Sequence, residues 1–193
     1  MQELRQHHVF WQRLDSPGLE HLLLDFRPRE LGAYGLVIGA SEETGEPFRV
    51  QYSILADLSG AVIEVSVTDI LKIGRSIALK SNGLGRWQDS SGAALPELDG
   101  CIDVDLTITP STNTLPIRRL GLRLGESQAI DAAYIQLPEF KIMRTQQRYT
   151  YVAQESNFSR WLFQQGNFEA GLSVDADGLV LDYAGLFQRI WAG

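Results

Sequence analysis

The sequence predicts a mainly β protein with a many-stranded antiparallel sheet, arranged as a meander or a barrel. Apolar and polar residues alternate over most of the chain, as in strands that bury one face. Turn-forming residues interrupt these runs about every 10 residues, a spacing typical of meanders and barrels. Helix-period patterns are missing between the runs, so a doubly wound α/β fold is not expected.

Strand predictions follow this alternation along the chain. Residues 48–56 and 63–68 each place apolar side chains on one face. Residues 71–80 continue the pattern, with Arg75 interrupting the apolar face, and residues 102–108 form a further row. Weaker strands, enriched in β-branched and aromatic residues, are expected at 20–26, 33–40, 130–137, 139–143, 147–153, 168–174 and 179–183.

Turns and one short helix complete the predicted organisation. The segments 42–47, 81–83, 90–92 and 175–178 are typical of hairpin or loop connections. A short helix is expected over residues 116–120, capped by Thr112 or Thr114 and ended by Gly121 or Gly125. Residues 157–165 suit either a helical turn or a strand.

Length and composition limit the class of protein. The 193 residues favour a single domain over 1–193, and 44% hydrophobic with 21% charged residues is ordinary for a folded protein. A net charge of −7 argues against nucleic-acid binding. The single cysteine suits a reducing compartment, and neither a signal peptide nor an integral membrane segment is evident, so a cytoplasmic location is expected.

Residues 100–120, GCIDVDLTITPSTNTLPIRRL, form the most specific motif in the chain. Together with Glu20, Tyr52, Asp57 and Trp87, this segment resembles the bacterial family described as "putative glycolipid-binding". The resemblance implies a sheet wrapped as an open barrel around a single α-helix, distantly like lipoprotein carriers. It also implies a tight homodimer, an acidic pocket, and a link to glycolipid metabolism or membrane composition.

The charged residues of this motif allow two interpretations each. Asp103 and Asp105 lie two apart in a strand, so their carboxylates leave one face with Cα atoms about 6.6 Å apart. That face is either an ordinary solvated exterior or the acidic wall of a cavity. Arg118 and Arg119 point about 100° apart on a helix, so one of them either pairs with Asp103 or Asp105 or contacts a ligand directly.

Three further residues are candidates for ligand contact. Asn113 either caps the helix or reaches the ligand. Tyr52 is either a core aromatic or a stacking face for a sugar, and Glu64 either joins the acidic cavity or lies on an exposed strand face. No metal and no cofactor are expected, since His7, His8, His21 and Cys101 lack the spacing of a metal site.

These patterns support a leading hypothesis and two rivals. The first is a non-catalytic protein that holds a lipid-like or glycolipid-like molecule in a cavity between sheet and helix. The second is an enzyme acting on a sugar conjugate through the paired carboxylates Asp103 and Asp105. The third is a dimeric interaction module in which these acidic residues are purely architectural.

Overall fold

The computed structural model describes residues 5–193 and gives this part of the chain one 14-stranded sheet and three short helices. The strands are β1 (Arg5–Arg13), β2 (Gly18–Phe26), β3 (Glu30–Ala40), β4 (Pro47–Asp57), β5 (Val62–Asp69), β6 (Ser76–Ser81), β7 (Trp87–Asp89), β8 (Asp103–Leu106), β9 (Ser127–Gln136), β10 (Lys141–Gln154), β11 (Ser159–Gln165), β12 (Phe168–Val174), β13 (Val180–Tyr183) and β14 (Phe187–Ala192). The helices are α1 (Thr114–Leu120) and two 3₁₀ turns at Pro96–Leu98 and Ser111–Asn113.

The sheet is a meander in two arms that meet at β1 and β14. Its order is β7-β6-β5-β4-β3-β2-β1-β14-β13-β12-β11-β10-β9-β8. Neighbouring strands pair antiparallel, as predicted, except that β8 runs parallel to β9. Two strands that are consecutive in the sheet can pair in parallel only if the chain between them crosses back to the end where the first strand began. The segment that contains α1 forms this crossover between β8 and β9.

The two ends of the sheet approach each other through the segment that precedes β8. The Val62 amide donates to the Ile102 carbonyl at 3.0 Å, and the Gly100 amide donates to the Gly85 carbonyl at 2.9 Å. A Cβ at Gly85, where φ is +81°, would lie 2.9 Å from the Gly100 Cα, so the contact requires glycine. The sheet therefore curls into an open barrel.

Helix α1 lies inside this barrel and joins its two apolar cores. The larger core is formed mainly by the inner faces of β1–β6, β8 and β9 and includes Leu115. The smaller core is formed by β10–β14 and includes Ile117. Fully buried side chains such as Leu22 each contribute about 1.5–3 kcal/mol of hydrophobic stabilisation. Two residues of one short helix thus connect both arms of the sheet.

Several local predictions differ from the structure. The predicted run 71–80 is a strand only from Ser76, because Asp69 Oδ1 accepts a hydrogen bond from the Leu71 amide and the chain turns there. Leu71 and Ile73 are exposed in that turn. Residues 157–165 contain strand β11, and the predicted strands 139–143 and 147–153 are one strand, β10. Strands β1, β7 and β14 were not predicted.

The helix has its predicted end and a different beginning. Gly121 takes the left-handed conformation after Leu120, with φ of 54°. Asn113 precedes the helix without a capping hydrogen bond from its side chain, and the Thr112 hydroxyl donates to Asp105. The predicted cap by Thr112 or Thr114 is therefore wrong, since a nearby carboxylate binds the Thr112 hydroxyl and Thr114 is itself the first residue of the helix. Within residues 5–193, no helix combines the length and apolar character needed to cross a membrane.

Candidate ligand-binding site

Strand β8 carries both aspartates of the motif on one face. Val104 and Leu106 point into the larger core, while Asp103 and Asp105 leave the opposite face toward α1 and β10. Parallel pairing sets Asp103 beside Ala132 and Asp105 beside Tyr134 on β9. The face is covered by protein, so the interpretation as a solvated exterior is wrong.

Asp103 forms an ion pair with Arg119. The Arg119 guanidinium donates two hydrogen bonds to the carboxylate, one from Nε to Oδ1 at 3.2 Å and one from Nη2 to Oδ2. The Asp103 side chain is 1% exposed and that of Arg119 is 19% exposed. Burial raises the pKa of Asp103, and the guanidinium opposes this effect. Asp103 is thus held by the helix as a charge partner, as one of the two interpretations predicts.

Asp105 has neutral partners instead. The Thr112 hydroxyl donates to Oδ1 at 3.0 Å, and the Gln147 amide donates to Oδ2 at 2.5 Å. Burial raises the pKa of Asp105, and these two hydrogen bonds only partly offset it. The two carboxylates on this strand face therefore differ in their electrostatic environment, because Asp103 contacts a cation and Asp105 contacts neutral donors.

Asp105 lines a cavity of about 240 Å³ between β8, β9 and the strands β11–β14. Its polar wall also contains the Asn113 side chain, which accepts a hydrogen bond from the Tyr149 hydroxyl at 2.9 Å. The remaining polar lining residues are Thr107, Thr109, Tyr134 and Gln165, and the apolar ones are Leu106, Phe163, Phe168, Tyr183, Leu186 and Phe187. The cavity combines fixed hydrogen-bonding groups with aromatic surface, the usual composition of a small-molecule site.

A buried hydrogen-bond network lies behind this cavity and reaches it through Thr109. The hydroxyls of Tyr52 and Thr109 donate to Glu20 Oε1 at 2.5 and 2.8 Å. Ser111 Oγ lies 2.7 Å from the Tyr52 hydroxyl, and the Ser111 amide donates to Thr109 Oγ1 at 2.9 Å. Glu20 Oε2 is buried without a partner among the described residues. Burial raises the pKa of Glu20 to about 7, although both hydroxyls oppose the rise.

The structure brings only some of the predicted residues together. Asp105 and Asn113 line the cavity, whereas Tyr52 lies in the network behind it. Asp103 and Arg119 form the neighbouring ion pair. Glu64 lies on the outer face of β5, 3.8 Å from the Lys80 ammonium, and Arg118 lines other cavities. Glu64 is separated from the rest because the strand alternation turns it away from buried Val65.

Sequence reasoning missed the role of Glu20 and the aromatic wall. Glu20 shares the buried face of β2 with Leu22 and Leu24, so a lone glutamate within an apolar row was the available signal. Phe163 and Phe168 flank the β11–β12 hairpin, and no local pattern relates them to β8.

Comparison with known proteins identifies the family. A family model described as "Putative glycolipid-binding" matches residues 8–189. The fold is similar to the crystal structure of a DUF1089 family protein from Pseudomonas aeruginosa, determined at 1.80 Å resolution. That match has a TM-score of 0.78 and 35% sequence identity, and it covers 90% of this chain and 92% of the other. No curated protein matches the chain. The chain therefore belongs to the family described as "Putative glycolipid-binding".

Proposed function

We propose that this protein binds a glycolipid-like molecule without catalysing a reaction on it, and that the sugar part of the headgroup occupies the cavity beside Asp105. One observation carries the proposal: a single cavity is lined by the Asp105 carboxylate, the Asn113 amide and five aromatic rings from β9 and β11–β14. The family match supports a ligand of this class.

The chemistry of the cavity suits a sugar. Hydroxyl groups of a sugar donate hydrogen bonds, and each carboxylate oxygen of Asp105 has a lone pair beyond the one that its protein donor uses. The C–H face of a sugar ring packs on aromatic rings, and Phe168 is 44% exposed. A volume of about 240 Å³ is below the usual range for drug-sized ligands, so it suits one headgroup sugar rather than a whole lipid.

The environment of Asp103 supports binding over carboxylate-pair catalysis. A mechanism with two carboxylates requires both of them at the reacting bond. Asp103 is outside the lining of this cavity and is neutralised by Arg119. Of the two aspartates, Asp105 is the one that lines the cavity.

Two measurements test this proposal. The first is calorimetric titration of the protein with alkyl glycosides, and the second is native mass spectrometry of freshly purified protein, which detects copurified lipid. Octyl glucoside and dodecyl maltoside are suitable soluble probes. Asp105→Asn and Phe168→Ala should each weaken binding about tenfold or more, because each removes one side of the sugar contact. Leu84→Ala is the control, since Leu84 is 81% exposed in the β6–β7 turn and lines none of the cavities described.

Two results would overturn the proposal. One is the absence of both copurified lipid and binding to a broad glycolipid panel. The other is turnover of a sugar conjugate by the wild-type protein that Asp105→Asn abolishes while the variant remains folded, which would establish the enzyme instead.

The homodimer and the link to glycolipid metabolism or membrane composition stay predictions from the resemblance. The cytoplasmic location stays a prediction from the single cysteine and the hydropathy of the sequence. Exposed apolar side chains on the outer face of the sheet support a dimer, namely Leu36, Ile38, Ile190 and Trp191. Light scattering on the purified protein tests the dimer, and cell fractionation tests the location. Lipid profiles of cells lacking the gene test the metabolic link.

A further inference from the structure

A second cavity, of about 450 Å³, lies at another place in the barrel and shares no lining residue with the cavity beside Asp105. It forms where the start of β1, the end of β2, the start of β3 and the β4–β5 turn meet helix α1. Four arginines line it, namely Arg5, Arg27, Arg118 and Arg119. Such a concentration of guanidinium groups stands out in a chain whose net charge is −7.

Three of these arginines have carboxylate partners. Arg119 is paired with Asp103, Arg5 with Asp177, and Arg27 with both Asp25 and Glu30. Among the described residues, Asp57 is the one carboxylate in the lining, and its Oδ1 accepts hydrogen bonds from the Ser59 amide and hydroxyl and from the Ala61 amide. These three hydrogen bonds hold the Asp57 side chain within the β4–β5 turn.

Arg118 is the exception. No carboxylate oxygen of residues 5–193 lies within 4.0 Å of its guanidinium. Nη1 donates to the Asp177 carbonyl at 2.5 Å, and the guanidinium lies over the Phe26 ring, 4.8 Å from its centroid. These contacts fix the group in place but leave Nε and Nη2 without an acceptor among residues 5–193. Burial lowers the pKa of Arg118, with Asp177 opposing and Arg5 adding to the effect.

The surroundings of Arg118 are apolar as well as cationic. Phe26, Leu31, Leu58 and Leu115 line the same cavity, and Leu58 is 73% exposed. A planar guanidinium held by stacking presents a fork of donors that matches phosphate or carboxylate oxygens. An apolar chain attached to such an anion would bury its first methylenes against the leucines, and burial of apolar surface is favourable.

We infer that this cavity is a second binding site, for an anionic amphiphile whose phosphate contacts Arg118 and whose chain packs on Leu58. The inference goes beyond the proposed sugar site and stands on different residues. The shared chemistry is a phosphate group, which a phosphorylated lipid headgroup or free phosphate would both supply. The apolar wall favours the lipid.

Calorimetric titration with octyl phosphate, inorganic phosphate and octyl glucoside separates these sources. Octyl phosphate should bind at least tenfold more tightly than inorganic phosphate, and Arg118→Gln should weaken it at least tenfold. Arg118→Lys should retain part of the affinity, since an ammonium keeps the charge without the fork of donors. Arg49→Gln is the matched control, because Arg49 is exposed on the outer face of β4 and lines neither cavity.

Leu58→Asp decides which side of Arg118 the anion occupies, since Arg118 also lines a cavity formed with β10 and β11. A carboxylate at position 58 should weaken octyl phosphate binding at least tenfold, and the exposure of Leu58 makes a folding defect unexpected. Thermal melting of each variant verifies the fold.

Three outcomes would overturn the inference: equal affinity for octyl and inorganic phosphate, binding unchanged in Arg118→Gln, or binding unchanged in Leu58→Asp. Octyl glucoside affinity should respond to Asp105→Asn and not to Arg118→Gln. Failure of this inference is therefore distinguishable from failure of the proposed sugar site.

Discussion

Replacement of Glu20 by glutamine should flatten the pH dependence of folding stability. Glu20 is 2% exposed, and burial raises its pKa from an ordinary 4.5 to about 7. The native state therefore binds this proton more tightly than the unfolded chain does. Its stabilising contribution is complete below the unfolded pKa of 4.5 and is lost as the pH rises through about 7.

The size of the effect follows from the pKa. A rise from 4.5 to about 7 corresponds to about 3 kcal/mol at about 1.4 kcal/mol for each pH unit. The free energy of unfolding of the wild type, minus that of Glu20→Gln, should therefore fall by about 2–3 kcal/mol between pH 5 and pH 8. Other buried acids, including Asp103 and Asp105, are present in both proteins, so their titration largely cancels in the difference.

Urea denaturation monitored by tryptophan fluorescence measures this difference, because Trp11 is fully buried in the core. The glutamine amide nitrogen would replace Oε2, which has no hydrogen-bond partner within residues 5–193. A constant offset between the two proteins is therefore expected, and only the slope of the difference with pH is informative. Glu64→Gln on the outer face is the control and should leave the slope unchanged. Parallel stability curves for the wild type and Glu20→Gln would refute the raised pKa.

Two further predictions concern the packing around the site. Asp103→Asn should lower the free energy of unfolding by about 3 kcal/mol, because it leaves the Arg119 guanidinium without its buried partner. Urea denaturation measures this loss. A denaturation midpoint equal to that of the wild type would contradict the architectural role of the pair. Gly35→Ala should cost about 2–3 kcal/mol, since the new Cβ would lie 2.1 Å from the Tyr52 ring and displace its hydroxyl from Glu20. An unchanged melting temperature for Gly35→Ala would show that the ring has room to move.

Strand β4 and the end of α1 illustrate what was predictable from the sequence. In β4 apolar and polar residues alternate from Phe48 to Ile54, and buried positions alternate with more exposed ones along the whole strand. Gly121 ends the helix because a left-handed residue is needed there, a requirement that a local sequence expresses. The same local signals place Asp103 and Asp105 on one face of β8.

Strand β10 shows why other elements escaped prediction. Its 14 residues include the polar run Arg144–Arg148, so the local pattern breaks there, yet pairing with β9 continues through it. Hydrogen bonds to a neighbouring strand hold such a segment extended, and those partners are distant in sequence. Strands β1 and β14 are a similar case, because they pair with each other across the whole length of the chain.

A mainly β fold, a specific motif at residues 100–120 and two carboxylates on one strand face are all predicted from the sequence alone. The roles of those two carboxylates depend on the tertiary structure. The turn of α1 brings the Arg119 guanidinium to Asp103, whereas β10 brings the neutral Gln147 amide to Asp105. The physical reason is that the electrostatic environment of a side chain depends on the groups packed across from it. Those groups come from elements far away in the chain, and the curl of the sheet assembles them.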